Sequence, residues 1–264
     1  MAKILVIQHN DDDNLNDLAA PFLEAGLEII QWHAERTPAP VASLDGFSGL
    51  VSLGAFAGVE DEASTAWMPV ERKLIEEALE LEMPVLGLCF GSQLLASVAG
   101  AEVGKSGRPE VGWYSVEMTE AAAADPLMSV LGPQPEVIQY HYDTFVWPTS
   151  TGRMNPDDGP TSTGRMNPDL ESTGGREVSI LGTANGMNQA FRVGKNAWGT
   201  QFHIELNLPT TLGWIATYPK AFEKAGNVPA EQVELTRQNW KLHQERSVAL
   251  GRAFAEQVKA FNQP

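Results

Sequence analysis

Cys89 is the only cysteine in 264 residues, and it stands between two glycines in the stretch PVLGLCFGSQLLA, Pro84 to Ala96. As a thiolate it is a nucleophile toward a carbonyl carbon. Such chemistry needs a base to shuttle protons and a group to orient that base. The segment GTQFHIE offers both, as His203 and Glu205. Two positions apart on a strand, they are expected to project to one face with Ile204 on the other. The carboxylate would then hold the imidazole in the tautomer that presents its free nitrogen to Cys89.

Nucleophile and base must be brought together by the elements around them. Pro84 to Leu88 is a short apolar run that reads as a buried parallel strand, and SQLLASVAG reads as the opening of a helix with Leu94, Leu95 and Val98 inward. Gly87 and Gly91 carry no Cβ, so strand and helix can approach closely around Cys89, the mechanical logic of a nucleophile elbow. At a helix N-terminus the thiol also feels the positive end of the macrodipole, which favours thiolate.

The rest of the chain reads as alternating strands and helices. Ile4 to Ile7 is a strand, followed by HNDDDN and a helix carrying Leu15, Leu18, Ala19, Phe22 and Leu23 up to Gly26. Asp11, Asp12 and Asp13 read as dipole partners and caps ahead of that helix, with no His or Cys at ligand spacing to suggest a metal. Leu27 to Trp32 and Gly49 to Leu53 suggest two more strands, and Ala66 to Leu81 a helix that leads into the Cys89 strand. GWYSVEM and EVIQYHYDTFVWP read as strands, and Asn188 to Val193 with Trp198 to Phe202 as a hairpin across GKN. The fold class expected is α/β, an open mostly parallel sheet flanked by helices, with ligand sites at the carboxyl ends of the strands. Residues 1–264 read as one domain, with a helical extension over 207–264 that ends in a long amphipathic pattern from Pro229 to Phe261. On that pattern Val248, Phe254, Val258 and Phe261 share a face.

TSTGRMNPD occurs at Thr149 to Asp157 and again at Thr161 to Asp169. Two copies cannot build a solenoid and this composition cannot bury a core, so 149–176 reads as an inserted, mobile loop, either a tolerated surface duplication or a lid. A formal net charge of −16 makes nucleic acid and anionic membrane poor partners. MAKILVIQHN reads as a first strand and not as a signal peptide, and no stretch approaches a membrane span. The setting expected is cytoplasmic, the substrate a small molecule, and no cofactor is called for.

The motifs GLVSLGAFAG, VLGLCFGSQLLA, EVGW, YHYDTF and GTQFHIE, in that order, resemble the class I glutamine amidotransferases of the triad type. The likeness is strongest to stand-alone relatives of the GMP synthetase glutaminase domain, and it covers most of the chain. It implies the flavodoxin-like fold of that family and a reaction in which the cysteine attacks the glutamine side-chain carbonyl, the histidine protonates departing ammonia, and water cleaves a glutamyl thioester. It would make Cys89 the nucleophile, His203 the general acid and base, and Glu205 the orienting member. Gln93 and the backbone around His141, Tyr142 and Asp143 would hold the substrate, with the amides of Ala55 and Phe90 as oxyanion hole. The chain departs from the family pattern in three places: Ala55 and Phe56 follow Gly54 where Gly-Gly-Pro is usual, Ile204 replaces a proline, and Tyr142 replaces a glycine. If the family's glycine marks a backbone that needs positive φ, Ala55 resists it and the hole is unformed at rest.

The resemblance implies glutamine or a γ-glutamyl compound as substrate. No G-x-x-x-x-G-K-[ST] phosphate loop is present to activate an acceptor, so a synthetase partner receiving ammonia is implied. Two alternatives stand beside this: a γ-glutamyl peptidase working alone with the same triad, and a catalytically degenerate regulatory scaffold.

Overall fold

The computed structural model describes residues 1–147 and 175–261. The duplicated segment, and the loop or lid expected there, lie outside the described residues apart from Gly175 and Arg176.

The apolar run that opens the chain becomes the strand β1 (Lys3–Gln8), and its alternate residues serve both faces of the sheet. Ile4 and Val6 enter one apolar cluster with Leu18, Phe22, Phe254 and Val258, while Leu5 and Ile7 enter another with Leu74, Ile75, Leu94 and Leu95. A strand covered on both sides has no polar face to show, and this is why it reads as a continuous apolar run. The helix α1 (Ala19–Glu24) follows, then β2 (Glu28–His33), β3 (Gly49–Ser52), α2 (Met68–Glu80), β4 (Val85–Leu88) and α3 (Phe90–Val98). The long β5 (Glu102–Ser115), the short β6 (Glu117–Met118) and α4 (Glu120–Ala123) lead to β7 (Glu136–Val146). After 174 come β8 (Val178–Ala184), β9 (Met187–Val193) and β10 (Ala197–Thr200), and then α5 (Leu208–Thr217), α6 (Pro219–Lys224) and α7 (Pro229–Phe261).

Eight strands form one sheet in the order β2-β1-β3-β4-β10-β9-β8-β6. The pairs from β2 through β10 are parallel, and β9, β8 and β6 extend the sheet antiparallel. This is the expected open, mostly parallel α/β sheet, including the β9–β10 hairpin across Gly194 to Asn196. GWYSVEM does not form a single strand: its first four residues end β5, which among the described residues pairs only with β7 in a separate antiparallel ribbon, while Glu117 and Met118 join the main sheet. β8 has no counterpart in the sequence reading. Its register shifts around Gly182, and a strand glycine at a bulge interrupts the alternation by which a strand is recognised.

α7 covers the sheet face that holds Ile4 and Val6 through Leu250, Phe254, Ala255 and Val258. Val248 and Phe261 are only half-buried. The first half of the helix docks through polar groups instead, since Gln232 Oε1 accepts from the Trp113 N–H at 2.8 Å and Thr236 Oγ1 from Trp113 Nε1 at 2.9 Å. At the carboxyl ends of the adjacent strands β1, β3, β4 and β10 the chain presents, in turn, His9, Gly54, Cys89 and His203. Open α/β sheets bind their ligands at this edge.

Candidate active site

The turn from β4 into α3 leaves Cys89 at φ 50°, ψ −108°, a conformation L-residues seldom adopt. The surroundings over-determine it. The Cys89 N–H donates to the Thr200 carbonyl at 2.8 Å, and the amides of Ser92 and Gln93 both donate to the Cys89 carbonyl at 3.1 Å. Glycine is a steric necessity on either side, because a Cβ at Gly87 would lie 2.6 Å from the Gly91 carbonyl oxygen and one at Gly91 2.2 Å from that of Ser52. The elbow expected from the motif is present. Cys89 is 6% exposed, with Sγ 3.7 Å from the Tyr140 carbonyl oxygen and 3.8 Å from Gln201 Nε2.

His203 and Glu205 do share a side, but not as members of a strand. β10 ends at Thr200, and His203 lies beyond it in an isolated antiparallel bridge to Ile138, whose carbonyl accepts the His203 N–H at 2.8 Å. The bridge fixes the backbone where the sheet has ended. His203 Nδ1 is 2.6 Å from Glu205 Oε1, both side chains are buried, and the Trp214 ring stands edge-on with its centroid 5.0 Å from that of the imidazole. With Nδ1 donating to the carboxylate, Nε2 is the nitrogen left to exchange a proton with Cys89. Burial disfavours a charged imidazole, yet the charges of Glu205 and Cys89 and a hydrogen bond to each hold His203 well above its ordinary 6.5.

Asp13, read from sequence as a cap, belongs to this site. The short 3₁₀ turn that follows has no side-chain cap, and Asp13 is instead buried with Oδ1 3.9 Å from His203 Nδ1 and without a hydrogen-bond partner. Asn10 Nδ2 donates to its other oxygen at 2.9 Å. Burial raises the Asp13 carboxyl above the usual carboxylate range, against the pull of His203 and Asn10. One ligand atom each from Asp13, His203 and Glu205 lies within 4.8 Å of the others, so a cation could be held there, but only through the group of atoms in which Glu205 orients His203.

A narrow cleft opens over the cysteine, lined by Asp13, Ala55, Phe56, Cys89, Tyr140, His203, Trp214 and Tyr218. Of the first amides of α3, that of Gly91 already donates to the Leu53 carbonyl at 3.1 Å and those of Ser92 and Gln93 to Cys89, which leaves Phe90 for a ligand. Ala55 lines the same cleft. Its φ is not positive, since among the described residues the non-glycine positions with positive φ are Asn16, Glu82, Cys89 and Asn185. The strained Ala55 backbone expected from the missing glycine is therefore not found.

The other residues expected at the substrate, Gln93, His141, Tyr142 and Asp143, are not among the side chains that line this cleft. Gln93 Nε2 donates to Gln201 Oε1 at 3.2 Å, and Gln201 in turn reaches Cys89. His141 is buried between the Asp143 carbonyl, 2.8 Å from Nδ1, and Glu110 Oε2, 3.0 Å from Nε2. Asp143 pairs with Lys105 at 2.9 Å, and Lys224 sits over the Tyr142 ring at 5.0 Å. The strand residue that does line the cleft is Tyr140, whose hydroxyl is pushed by burial and by Tyr142 and Tyr218 up to about 12 and so stays protonated. Alternation along β7 contained this signal, because Tyr140 and His141 point to opposite sides and only one of the two side chains can face the cleft. Asp13, Trp214 and Tyr218 had no such signal, being placed by tertiary contacts.

The sequence profile of the family "Glutamine amidotransferase class-I" matches residues 7–211. The GMP synthase (glutamine-hydrolyzing) of Aeropyrum pernix is 31% identical over 115 residues, which is 44% of this chain but only 22% of that protein. A subunit of the glutamine-hydrolyzing GMP synthase of Saccharolobus solfataricus is 27% identical over 186 residues, 70% of this chain and 79% of that one. The crystal structure of a glutamine amidotransferase from Thermotoga maritima superposes with a TM-score of 0.75 at 27% identity, covering 97% of this chain and 98% of the other.

Proposed function

The chain belongs to the class I glutamine amidotransferase family, and on that premise we propose that it hydrolyses the side-chain amide of glutamine to glutamate and ammonia, delivering the ammonia to a separate acceptor enzyme. The observation that carries this reading is the approach of His203 Nδ1 to Glu205 Oε1 at 2.6 Å, with the same His203 and Cys89 lining one cleft. Cys89 Sγ, its proton already held on His203 Nε2, attacks the amide carbon. The carbonyl π bond opens to an oxyanion that the N–H groups of Ala55 and Phe90 stabilise. When the C–N bond breaks, His203 returns the proton to the leaving nitrogen as ammonia, and the acyl group remains on sulfur as a thioester. Water, deprotonated by His203, then attacks the thioester and expels the Cys89 sulfur.

A second reading shares this chemistry and changes the leaving group. The amine departs beside His203, and the wall there is aromatic: Trp214 against the imidazole, Tyr140 against Trp214 at 5.3 Å between ring centroids, and Phe56 against Tyr218 at 6.2 Å. Ammonia has no substituent to touch such a wall, whereas the amine of a γ-glutamyl peptide or other γ-glutamyl amide has one.

Steady-state hydrolysis of free glutamine, compared with a series of γ-glutamyl dipeptides, tests both. A higher kcat/KM for glutamine supports the amidotransferase reading, and a higher value for the dipeptides the γ-glutamyl hydrolase. Absence of turnover on all of them, together with failure of a glutamine-analogue diazoketone to label Cys89, overturns both and leaves the family scaffold without this activity.

A further inference from the structure

Behind the cleft lies a buried polar network that the proposed reaction does not use. His9, fully buried just past β1, has Nδ1 2.9 Å from the Gly54 carbonyl oxygen and Nε2 2.7 Å from Glu71 Oε2 on α2. Ser52 Oγ donates to the other carboxylate oxygen at 2.5 Å. The His9 ring packs against Trp67 and Phe90, with centroids 4.4 and 5.1 Å away. A carbonyl oxygen can only accept, so Nδ1 carries a proton, and a carboxylate at Nε2 calls for a second one there. The geometry thus suits a His9 that donates from both nitrogens, as an imidazolium does. Burial opposes that charge and Glu71 restores it, leaving His9 above its ordinary value. A buried ion pair is a poor source of stability compared with apolar residues of the same volume, so its presence beside a cleft calls for another reason.

The geometry of one peptide unit provides it. The Gly54 carbonyl and the Ala55 N–H belong to the same planar trans peptide, and in such a unit they point in opposite directions. No cis peptide interrupts the described chain. With the carbonyl drawn inward to His9, the Ala55 N–H is turned the other way, toward the cleft that Ala55 lines. Hydrogen bonding at the carbonyl also polarises the peptide and makes its N–H a better donor. The same network touches the second half of the hole. Phe90 packs on the His9 ring, and Gly91 lies so close to Ser52 that a Cβ there would meet Ser52 Oγ at 2.3 Å.

We propose that His9, Glu71 and Ser52 form a positioning relay that aims the Ala55 N–H at the oxyanion and locks its peptide against rotation. Acting on the transition state through Gly54, the relay raises turnover and leaves ground-state binding alone. The proposal rests on the amide-hydrolase reading of the cleft and adds three residues to it.

The test uses the full chain with His9→Leu, His9→Asn and Glu71→Gln, each followed by steady-state kinetics on the better of glutamine and a γ-glutamyl dipeptide, a melting curve, and the rate of Cys89 alkylation by iodoacetamide. Asparagine places an amide nitrogen near the position of Nδ1, so it can still donate to Gly54. The expected result is a fall in kcat of about 10²- to 10³-fold for His9→Leu, the size of effect seen when an oxyanion donor is removed. KM and the alkylation rate should not change, and His9→Asn should recover at least tenfold of the lost turnover. If His9→Leu does not fold, the Glu71→Gln protein decides: wild-type kcat in it, while folded, overturns the relay. Turnover retained by folded His9→Leu, or alkylation slowed in parallel with kcat, overturns the proposal while leaving the amidase reading intact. A wild-type chain that hydrolyses neither substrate overturns the amidase reading, and the relay falls with it.

Discussion

Two carboxylates share one nitrogen of His203: Glu205 Oε1 holds Nδ1 at 2.6 Å, and Asp13 Oδ1 stands 3.9 Å from the same atom without a hydrogen-bond partner of its own. Their costs differ. Glu205 is anchored by the histidine, whereas Asp13 is raised above the usual carboxylate range because burial outweighs the help it receives. An acid whose pKa is higher in the native state than in the unfolded chain ionises first on unfolding. Stability therefore falls as pH rises from the ordinary carboxylate range through the native pKa, and it stays lower above it. Asp13→Asn keeps an acceptor for Asn10 and removes this penalty. A higher Tm at pH 7 than wild type is expected, with the two proteins converging at pH 3, where both side chains are neutral. Thermal melts at the two pH values check it, and a lower Tm for the variant at pH 7 would refute it.

Glu205→Gln keeps a hydrogen-bond partner for Nδ1 but allows the wrong tautomer and withdraws the charge that favours the imidazolium. A loss in kcat of roughly 10²- to 10⁴-fold is expected in a folded protein. The His203 pKa, followed by NMR of the imidazole, should fall. Unchanged turnover with a lowered Tm would make Glu205 a structural residue.

Cys89 is the strained member of the site. Backbone strain of this kind costs about 1–3 kcal/mol, and glycine is free of it. Glycine normally stabilises less than alanine because it has more unfolded-state entropy to lose. At this position the order should reverse, with Cys89→Gly more stable than Cys89→Ala by about 1 kcal/mol or more and neither variant turning over. Chemical denaturation of the two proteins measures the difference, and alanine proving the more stable would show that the elbow holds no strain. Cys89→Ser should also lose turnover while keeping the fold, since a hydroxyl is far less ionised than a thiol at neutral pH.

The parts of the site that were legible in the sequence are those fixed by local chemistry. Gly87 and Gly91 announced a close strand-to-helix approach, and the structure has no room for a Cβ at either. His203 and Glu205 were found by spacing, although the two-residue period was that of a short bridge beyond the strand and not of the strand itself. The apolar runs of β1, β3 and β4 gave the parallel half of the sheet for the same local reason. What stayed hidden depends on distant parts of the chain meeting. Asp13 looks like any acid before a helical turn until β10 brings His203 to it, and His9 looks like a strand-end residue until Glu71 arrives from α2. The backbone role that the family resemblance gives His141, Tyr142 and Asp143 is not one that side-chain direction along β7 decides.

Ala55→Gly tests the other consequence of the missing glycine. Because Ala55 is not at positive φ and His9 already orients the peptide before it, glycine adds unfolded-state entropy without relieving strain. A loss of roughly 0.4–1 kcal/mol in stability, with no gain in glutamine turnover, is expected. A several-fold rise in kcat would show that the hole forms only during the reaction, as the sequence alone had suggested.

His243, in the polar half of α7, is buried with its ring edge-on to Trp113 at 5.4 Å and tilted on Trp240 at 5.3 Å, and neither ring nitrogen has a side-chain partner. Burial pushes it down to about 4 from an ordinary 6.5, and the positive charges of Arg246 and His203 act in the same direction. The native state therefore refuses a proton that the unfolded chain accepts. Stability from this group is complete above pH 6.5 and is lost as pH falls toward 4, by an amount on the order of 3 kcal/mol. His203 does not mask the effect, because a histidine raised in the native state is protonated in both states below 6.5 and adds no slope there. His243→Phe keeps a ring in the aromatic contact and has nothing to protonate. Tm followed from pH 7.5 to 4.5 should fall less steeply for this variant than for wild type. Parallel curves would mean that the acid sensitivity of the chain lies elsewhere.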